Sequence, residues 1–356
     1  MIDSLETFTQ QDFLYFAAQI EDWYFQNKRE LPWRDIKDPY RIWISEIILQ
    51  QTRVVQGYNY YLRFIDRFPS VGDLAKADED EVLKLWQGLG YYSRARNLYR
   101  AAKSIVAKGK FPTNYKEIRM LKGVGDYTAA AIASFAYNLP YAVVDGNVYR
   151  VLARYWGITA PIDTTKGKKL FASLAQDLLD KKKPAQYNQA LMDFGALQCV
   201  HNSPNCNECP LQENCVAFLE TSVSSLPVKS KKTAIRTRFL VYLYIRCRNR
   251  ILLHRRERGD IWQGLYEPLL IEFSEPADLP LIIQKVNLPK ESAFRLAVKG
   301  MKHVLTHQVL IVDCYEVELT EFTTIEKYSF IPEKERGNYP ASRLVEQLYE
   351  AIDNLK

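Results

Sequence analysis

The chain has 356 residues, 47% of them hydrophobic and 25% charged, with 15 Gly and 16 Pro. At roughly 150 residues per domain this suggests about two domains, each able to bury a core, and it excludes a disordered, collagen-like or coiled-coil chain. A formal charge of +6 permits a polyanionic partner without requiring one, and six Cys are too few for a disulfide scaffold.

In chain order, Met1 to Phe13 carries Asp3, Glu6 and Asp12 and no Lys or Arg, so it lacks the basic-then-apolar plan of a secretory leader. Residues up to about 220 read as nearly all helix. Apolar residues at three-to-four spacing predict helices over Asp12–Gln26, Tyr40–Val54, Asp78–Leu85 and Lys166–Leu179. Loops with Pro or Gly separate them, as at Leu31-Pro32-Trp33, Phe68-Pro69, Gly88-Leu89-Gly90 and Phe111-Pro112. The longest uncharged run, between Asp126 and Asp145, nearly reaches bilayer length. Asn138-Leu139-Pro140 interrupts it, so a buried helix followed by a turn is expected, and no membrane association. An intracellular, reducing setting is expected (cytoplasmic, nucleoid-associated in a bacterium), where clustered Cys suggest metal rather than disulfides.

Glu46 lies within Ile42-Trp43-Ile44-Ser45-Glu46-Ile47-Ile48-Leu49. A carboxylate buried there without a partner costs several kcal/mol as a charge, so its pKa should rise, and a raised pKa lets Glu donate a proton near neutral pH. The plainer reading makes Glu46 the polar edge of a buried helix. Gln50-Gln51-Thr52 follows it, and Gly88-Leu89-Gly90-Tyr91-Tyr92-Ser93-Arg94-Ala95-Arg96 lies downstream. Gln can hydrogen-bond base edges, Tyr can stack in an opened duplex and Arg can take phosphates, although any one of these residues also suits a helix surface or a core. Leu121-Lys122-Gly123-Val124-Gly125-Asp126-Tyr127-Thr128 then links two helical stretches. Gly123 and Gly125 permit a tight turn, and the second helix offers free N–H groups to an anion, the pattern of a helix-hairpin-helix over about 115–137. Asp145, in Val143-Val144-Asp145-Gly146-Asn147, is a helix N-cap, a catalytic charge or both.

Cys199, Cys206, Cys209 and Cys215 fall within 17 residues as C-x6-C-x2-C-x5-C. Four thiolates can hold zinc or a 4Fe–4S cluster. A single C-x2-C with longer arms favours the cluster, because one loop can then wrap the larger cubane. The character changes after residue 220. A Ser/Thr-rich stretch and Lys229-Ser230-Lys231-Lys232 read as a basic linker over 221–235, and strands are expected over Phe239–Ile245, Ile251–His254, Leu269–Phe273 and Val309–Leu319. Arg248-Asn249-Arg250 can turn a hairpin, and helices return at about 278–286 and 341–355. From Thr221 to Arg256 there are ten Lys or Arg and no Asp or Glu. This is either a solvated linker and hairpin face or a surface laid along phosphates. The organisation expected is an all-α domain over 1–220, the linker, and a smaller α+β domain over 236–356.

Taken together, Leu31-Pro32-Trp33-Arg34, Ser45 to Thr52, Gly88 to Arg96, Gly123 to Thr128, Val144 to Asn147 and the four-Cys loop resemble the adenine DNA glycosylases of the MutY type, within the endonuclease III superfamily. Trp262-Gln263-Gly264-Leu265-Tyr266 and Lys302 to His307 resemble the Nudix-like C-terminal domain of that family, without a Nudix hydrolase signature, so that domain should recognise rather than hydrolyse.

The resemblance implies a helix-hairpin-helix glycosylase domain with a 4Fe–4S loop at 199–215, followed by an α+β Nudix-like lesion-recognition domain. It implies excision of adenine opposite 8-oxoguanine, and also opposite guanine, from double-stranded DNA, with the base flipped out of the stack to be reached. Glu46 would protonate adenine N7, and Asp145 would stabilise or trap the cationic sugar, with Tyr127 and Asn147 in support. Trp33, Arg34 and Gln189 would line the adenine pocket. Gln51, Thr52 and Tyr91 would enter or contact the stack, Gly123 and Gly125 would hold the backbone, and Thr306 and His307 would contact 8-oxoguanine. Bifunctional relatives carry Lys where this chain has Tyr127, and a phenol cannot form a Schiff base, so a monofunctional enzyme is expected. The alternatives are an endonuclease III-type glycosylase for oxidised pyrimidines and a non-catalytic iron–sulfur DNA-binding protein. No oligomerisation signal appears, so a monomer is expected; repair or replication proteins would be natural partners.

Overall fold

The structure, a computed structural model, describes residues 9–230, 235–289 and 291–355. Lys231 and Lys232 of the expected linker lie outside them. In chain order the helical part comprises α1 (Gln10–Asn27), α2 (Pro39–Leu49), α3 (Val54–Arg67), α4 (Val71–Lys76), α5 (Glu79–Trp86), α6 (Ser93–Ala107), α7 (Tyr115–Arg119), α8 (Asp126–Tyr137), α9 (Gly146–Tyr155), α10 (Thr165–Leu178), α11 (Pro184–Leu197) and α12 (Val216–Leu219). The remainder comprises β1 (Arg236–Cys247), β2 (Arg250–Arg255), β3 (Tyr266–Glu267), β4 (Leu269–Phe273), α13 (Leu279–Lys285), β5 (Ala293–Val304), β6 (Gln308–Leu319), β7 (Ser329–Pro332) and α14 (Arg343–Asp353). By packing, the described residues divide into two compact units, one from 9–54 and 101–230, the other from 55–100, 235–289 and 291–355. No helix among the described residues is long and apolar enough to cross a membrane.

The predicted helices over Asp12–Gln26, Asp78–Leu85 and Lys166–Leu179 appear as α1, α5 and α10. Side-chain caps set their starts: Thr9 caps α1 with a reciprocal Asp12 bond, Asp78 caps α5 and Thr164 caps α10. The helix expected over Tyr40–Val54 stops instead at Leu49, because Gln51 takes a left-handed backbone, φ 54°, and α3 begins only at Val54. The uncharged run after Asp126 is α8, buried from Thr128 through Ser134 and ended by left-handed Asn138.

In the first unit Phe16, Ile20, Trp156, Phe171, Tyr187 and Phe194 pack α1, α9, α10 and α11 around one core. The second unit is built on a seven-stranded sheet with the path β3-β2-β1-β6-β5, to which β4 and β7 also pair. Side-chain alternation in β1 splits its two faces. Leu240, Tyr242 and Tyr244 pack with Leu344, Leu348 and Ile352 of α14, whereas Val241, Leu243 and Ile245 join Ile282 of α13. The hairpin expected at Arg248 forms, with Cys247 opposite Arg250. Strand β5 is not marked in the sequence: among the described residues it pairs only with β6, it is bulged at two points, and it lacks a clean buried–exposed alternation.

In the acid-free stretch from Thr221 to Arg256, most of the seven arginines are engaged by carboxylates from outside it. Arg238 pairs with Asp260 and Glu272, Arg246 with Glu316 and Glu333, Arg255 with Glu79 and Asp80, and Arg256 with Asp260 and Glu267. Asp260 follows Arg256 by four residues, but Glu79, Asp80, Glu316 and Glu333 come from distant sequence, where a local charge count could not find them.

Candidate active site

The first unit brings the predicted carboxylates together. Asp38 caps α2 and Pro39 occupies its first turn, setting a helix whose residues Ile42 to Ile48 are all buried. Glu46 is among them at 6% exposure, and the Tyr127 hydroxyl donates to its Oε2 at 2.8 Å. Burial pushes the Glu46 carboxyl up to about 7. The Tyr127 hydrogen bond and the positive charge of Arg34 oppose that shift, and the neighbouring Asp145 reinforces it. Tyr127 itself rises well above the ordinary phenol value, chiefly through burial and then the charge of Glu46, so it remains a donor at neutral pH.

Asp145 caps α9. Its Oδ1 accepts the Val148 N–H at 2.8 Å and its Oδ2 accepts the Asn147 side-chain amide at 2.7 Å. Burial outweighs these bonds and holds Asp145 above the ordinary carboxylate value, so the helix start by itself does not set its charge state. The segment leading to it is held by buried Asn188, whose Oδ1 accepts the Val143 N–H at 3.0 Å and whose amide donates to Ser134 Oγ and the Tyr141 carbonyl. Asn147 Oδ1 in turn accepts from Arg150 at 2.9 Å, and Arg150 Nε reaches the Cys199 carbonyl at 2.7 Å. One helix thus presents Asp145 at its start and grips the cysteine loop a turn later.

Gly195 lets α11 approach this helix start. A Cβ at 195 would stand 2.7 Å from the Asn147 Cβ and 2.9 Å from its carbonyl oxygen. Gly195→Ala is therefore expected to destabilise the protein by about 1–3 kcal/mol, despite the better helix propensity of Ala, and to slow base release by displacing Asp145. Thermal unfolding together with single-turnover release checks this; an unchanged pair of values contradicts it.

Arg34 follows the turn closed by its own N–H on the Leu31 carbonyl, with Trp33 buried beside it. Its guanidinium donates to Tyr24 Oη at 3.0 Å and to fully buried Asp193, which also takes Arg29. Tyr24 donates to Gln189 Oε1 at 3.1 Å, so Arg34 and Gln189 share one network. Asp193 is its anchor and nothing in the local sequence marks it. In the Gln50–Thr52 turn, Thr52 N–H bonds Leu49, and Gln50 Nε2 donates to Thr128 Oγ1 at 3.0 Å, tying the turn to α8; Gln51 is exposed.

The hairpin between α7 and α8 has the expected turn, although only Gly123 needs positive φ, at 80°; Gly125 is extended at φ −91° and is the N-cap of α8, with no side-chain cap bond. First-turn N–H groups of α8 thus lack a side-chain cap, and Lys122 is exposed in the same turn.

Cys199, Cys206, Cys209 and Cys215 line one small cavity. Among the described residues no three His, Cys, Asp or Glu side chains form a close metal-binding group. The donor set of the cavity is four thiols with no carboxylate, and burial raises the thiols of Cys206, Cys209 and Cys215, so thiolates there need compensating cations. The Arg154 guanidinium lies 3.5 Å from the Cys199 sulfur and also binds the Val200 and His201 carbonyls. This soft, sulfur-only set fits an iron–sulfur cluster.

The second unit holds the remaining predicted residues. Thr306 and His307 form the exposed tip between β5 and β6, fixed by Leu305 N–H to the Gln308 carbonyl and Arg236 N–H to the His307 carbonyl. Tyr91 and Thr306 share a 2.6 Å hydroxyl–hydroxyl bond across a cavity of about 520 Å³. Trp262 and Gly90 also line it.

A family model described as HhH-GPD superfamily base excision DNA repair protein matches residues 44–177, and one described as NUDIX domain matches 241–351. An adenine DNA glycosylase of Buchnera aphidicola subsp. Baizongia pistaciae (strain Bp) is 38% identical over 84% of this chain and 85% of that relative. A solved thermostable thymine-DNA glycosylase superposes with TM-score 0.55 at 30% identity, covering 59% of this chain and 98% of that one. Endonuclease III in a non-covalent DNA complex shares the fold, with TM-score 0.53 at 22% identity over 60% of this chain and 99% of that one. The expected architecture, a helical glycosylase domain followed by a Nudix-like sheet domain, agrees with both family matches.

Proposed function

The chain belongs to the adenine DNA glycosylases, hydrolases of base-excision repair, and from that premise we propose that it removes adenine opposite 8-oxoguanine or guanine in duplex DNA, without strand cleavage. The observation that carries this reading is the Glu46–Tyr127–Asp145 arrangement, in which burial holds one acid near neutral pKa beside a second acid on a helix cap. Adenine leaves poorly as an anion. Glu46, protonated, donates to N7 of the flipped base, and the C1′–N9 electron pair departs into a neutral leaving group. Asp145, ionised, faces the oxocarbenium charge that develops on the sugar, and water completes hydrolysis. Tyr127 holds Glu46 by its hydroxyl and supplies no amine, which is why no Schiff base or lyase step is assigned.

Trp33, Arg34 and Gln189 are assigned to the adenine pocket, and Gln51, Thr52 and Tyr91 to the opened stack. The Gly123–Gly125 hairpin takes a phosphate, positioning the protein without reading sequence. Residues 1–220 then act as the glycosylase domain, 221–235 as the linker and 236–356 as the reader of the opposite base, through Thr306 and His307. We assign the 199–215 loop to a 4Fe–4S cluster held by Cys199, Cys206, Cys209 and Cys215; when bound, it would crosslink the loop that Arg150 and Arg154 grip from α9. Purified protein is expected to be brown, with iron and sulfide; colourless protein with stoichiometric zinc contradicts the assignment.

The test is base release from duplexes carrying adenine opposite 8-oxoguanine, adenine opposite thymine, or thymine glycol. Free adenine from the first alone is expected. Thymine glycol release with strand cleavage would instead place the chain's activity with the pyrimidine-specific relatives.

A further inference from the structure

The loop carrying Tyr91 is clamped at both ends onto one residue of the sheet domain. Gln87, the C-cap of α5, uses its side-chain oxygen to accept the Ala341 N–H at 3.2 Å and the Lys84 ammonium at 3.1 Å, and its amide to donate to Glu346 of α14. Its main-chain carbonyl accepts the Tyr60 hydroxyl at 2.8 Å. On the other side of Tyr91, the buried Tyr92 hydroxyl donates to the Ala341 carbonyl at 3.2 Å and accepts the Gly88 N–H at 3.3 Å. Both main-chain groups of Ala341 are therefore held by residues that flank Tyr91. Ala341 is in turn fixed to the sheet by a parallel bridge to Tyr266, whose N–H bonds the Pro340 carbonyl at 2.7 Å.

Between the two anchors the backbone is left-handed at Gly88, Gly90 and Tyr91, with φ 94°, 72° and 47°. The Tyr60 hydroxyl occupies the place a Cβ on Gly88 would take, so that position is closed to larger residues. A left-handed Tyr costs energy and persists only where its surroundings over-determine it. Tyr91 is 46% exposed, so packing alone does not supply that determination.

We propose that Gln87 and Tyr92 are positioning residues that hold Tyr91 in its strained, duplex-entering conformation by clamping the loop onto Ala341. The sheet domain then does more than contact the opposite base: it sets the shape of the loop that opens the stack. This inference rests on the reading of Tyr91 as the residue that enters the duplex.

The full-length protein is tested on a duplex with 8-oxoguanine opposite adenine and 2-aminopurine beside the 8-oxoguanine. Unstacking on binding appears as a rise in 2-aminopurine fluorescence, and adenine release is followed under single turnover. Tyr92→Phe, which keeps the ring, and Gln87→Glu, which keeps the acceptor for Ala341 but opposes Glu346, are each expected to blunt the rise and slow release about tenfold, while the pH at which release falls off stays where the parent has it. Adding Glu346→Gln to Gln87→Glu restores a donor–acceptor pair with the roles exchanged, and is expected to return both readouts to within about twofold of the parent. Parent-like fluorescence and release in both single variants would overturn the clamp, as would a double variant no better than Gln87→Glu. If the parent itself gives no rise, the duplex-entering role of Tyr91 fails, and the inference with it.

Discussion

Glu46→Gln is expected to retain binding to a duplex with adenine opposite 8-oxoguanine and to lose adenine release by about 10²- to 10⁴-fold, the range that positioned proton transfer contributes. Gln has nearly the shape of Glu and its carbonyl oxygen can still accept from Tyr127, so the buried packing of α2 survives. What disappears is the proton for the leaving base. The stability change runs the other way. Burial raises the Glu46 pKa above its unfolded value, so its favourable contribution is complete below about pH 4.5 and is lost as pH rises through about 7. Above pH 7 the neutral Gln is therefore expected to unfold no more easily than the parent. Near-parent single-turnover release in this variant would refute the assigned role.

Asp145→Asn separates charge from architecture at the second acid. Asn is as good an N-cap as Asp, so the bond to Val148 and the start of α9 are expected to persist. The negative charge facing the sugar is lost, and release is expected to slow by about 10²–10³-fold, comparable with removal of one preorganised electrostatic partner. Lesion binding should change little, and thermal stability should fall by about 1–3 kcal/mol because the variant's amide meets the Asn147 amide that Oδ2 accepts in the parent. A variant that releases adenine at the parent rate would show that Asp145 serves as a cap alone.

These two acids were legible in the sequence for different reasons. Glu46 stands out because a carboxyl set among the six apolar residues of Ile42 to Leu49 is costly to charge, and its burial is as expected. Asp145 stands out as a helix start, yet burial competes with the cap there and raises its pKa, an effect that depends on what packs over it. The network behind them was not legible. Asp193 takes Arg29 and Arg34 across more than 150 residues of chain, and Asn188, Arg150 and Gly195 sit in ordinary helical sequence. Their roles come from which helix faces which, and no local pattern records that.

The fold shows the same division. Capped helices and alternating strands could be read from short windows, whereas the break at Gln51 and the bulged edge strand β5 could not. The basic stretch after Thr221 was ambiguous because its partners, Glu79, Asp80, Glu316 and Glu333 among them, arrive from elsewhere in the chain.

The proposed catalysis turns on one acid, Glu46, kept protonated near neutrality by burial. The most direct measurement is the pH dependence of single-turnover adenine release from a duplex with adenine opposite 8-oxoguanine. Release is predicted to fall as pH rises through about 7, approaching a tenfold loss per pH unit beyond it as Glu46 ionises. A rate that stays level from about pH 6 to 9 would contradict the account, because Glu46 would be largely ionised over most of that range and still without effect on the chemistry.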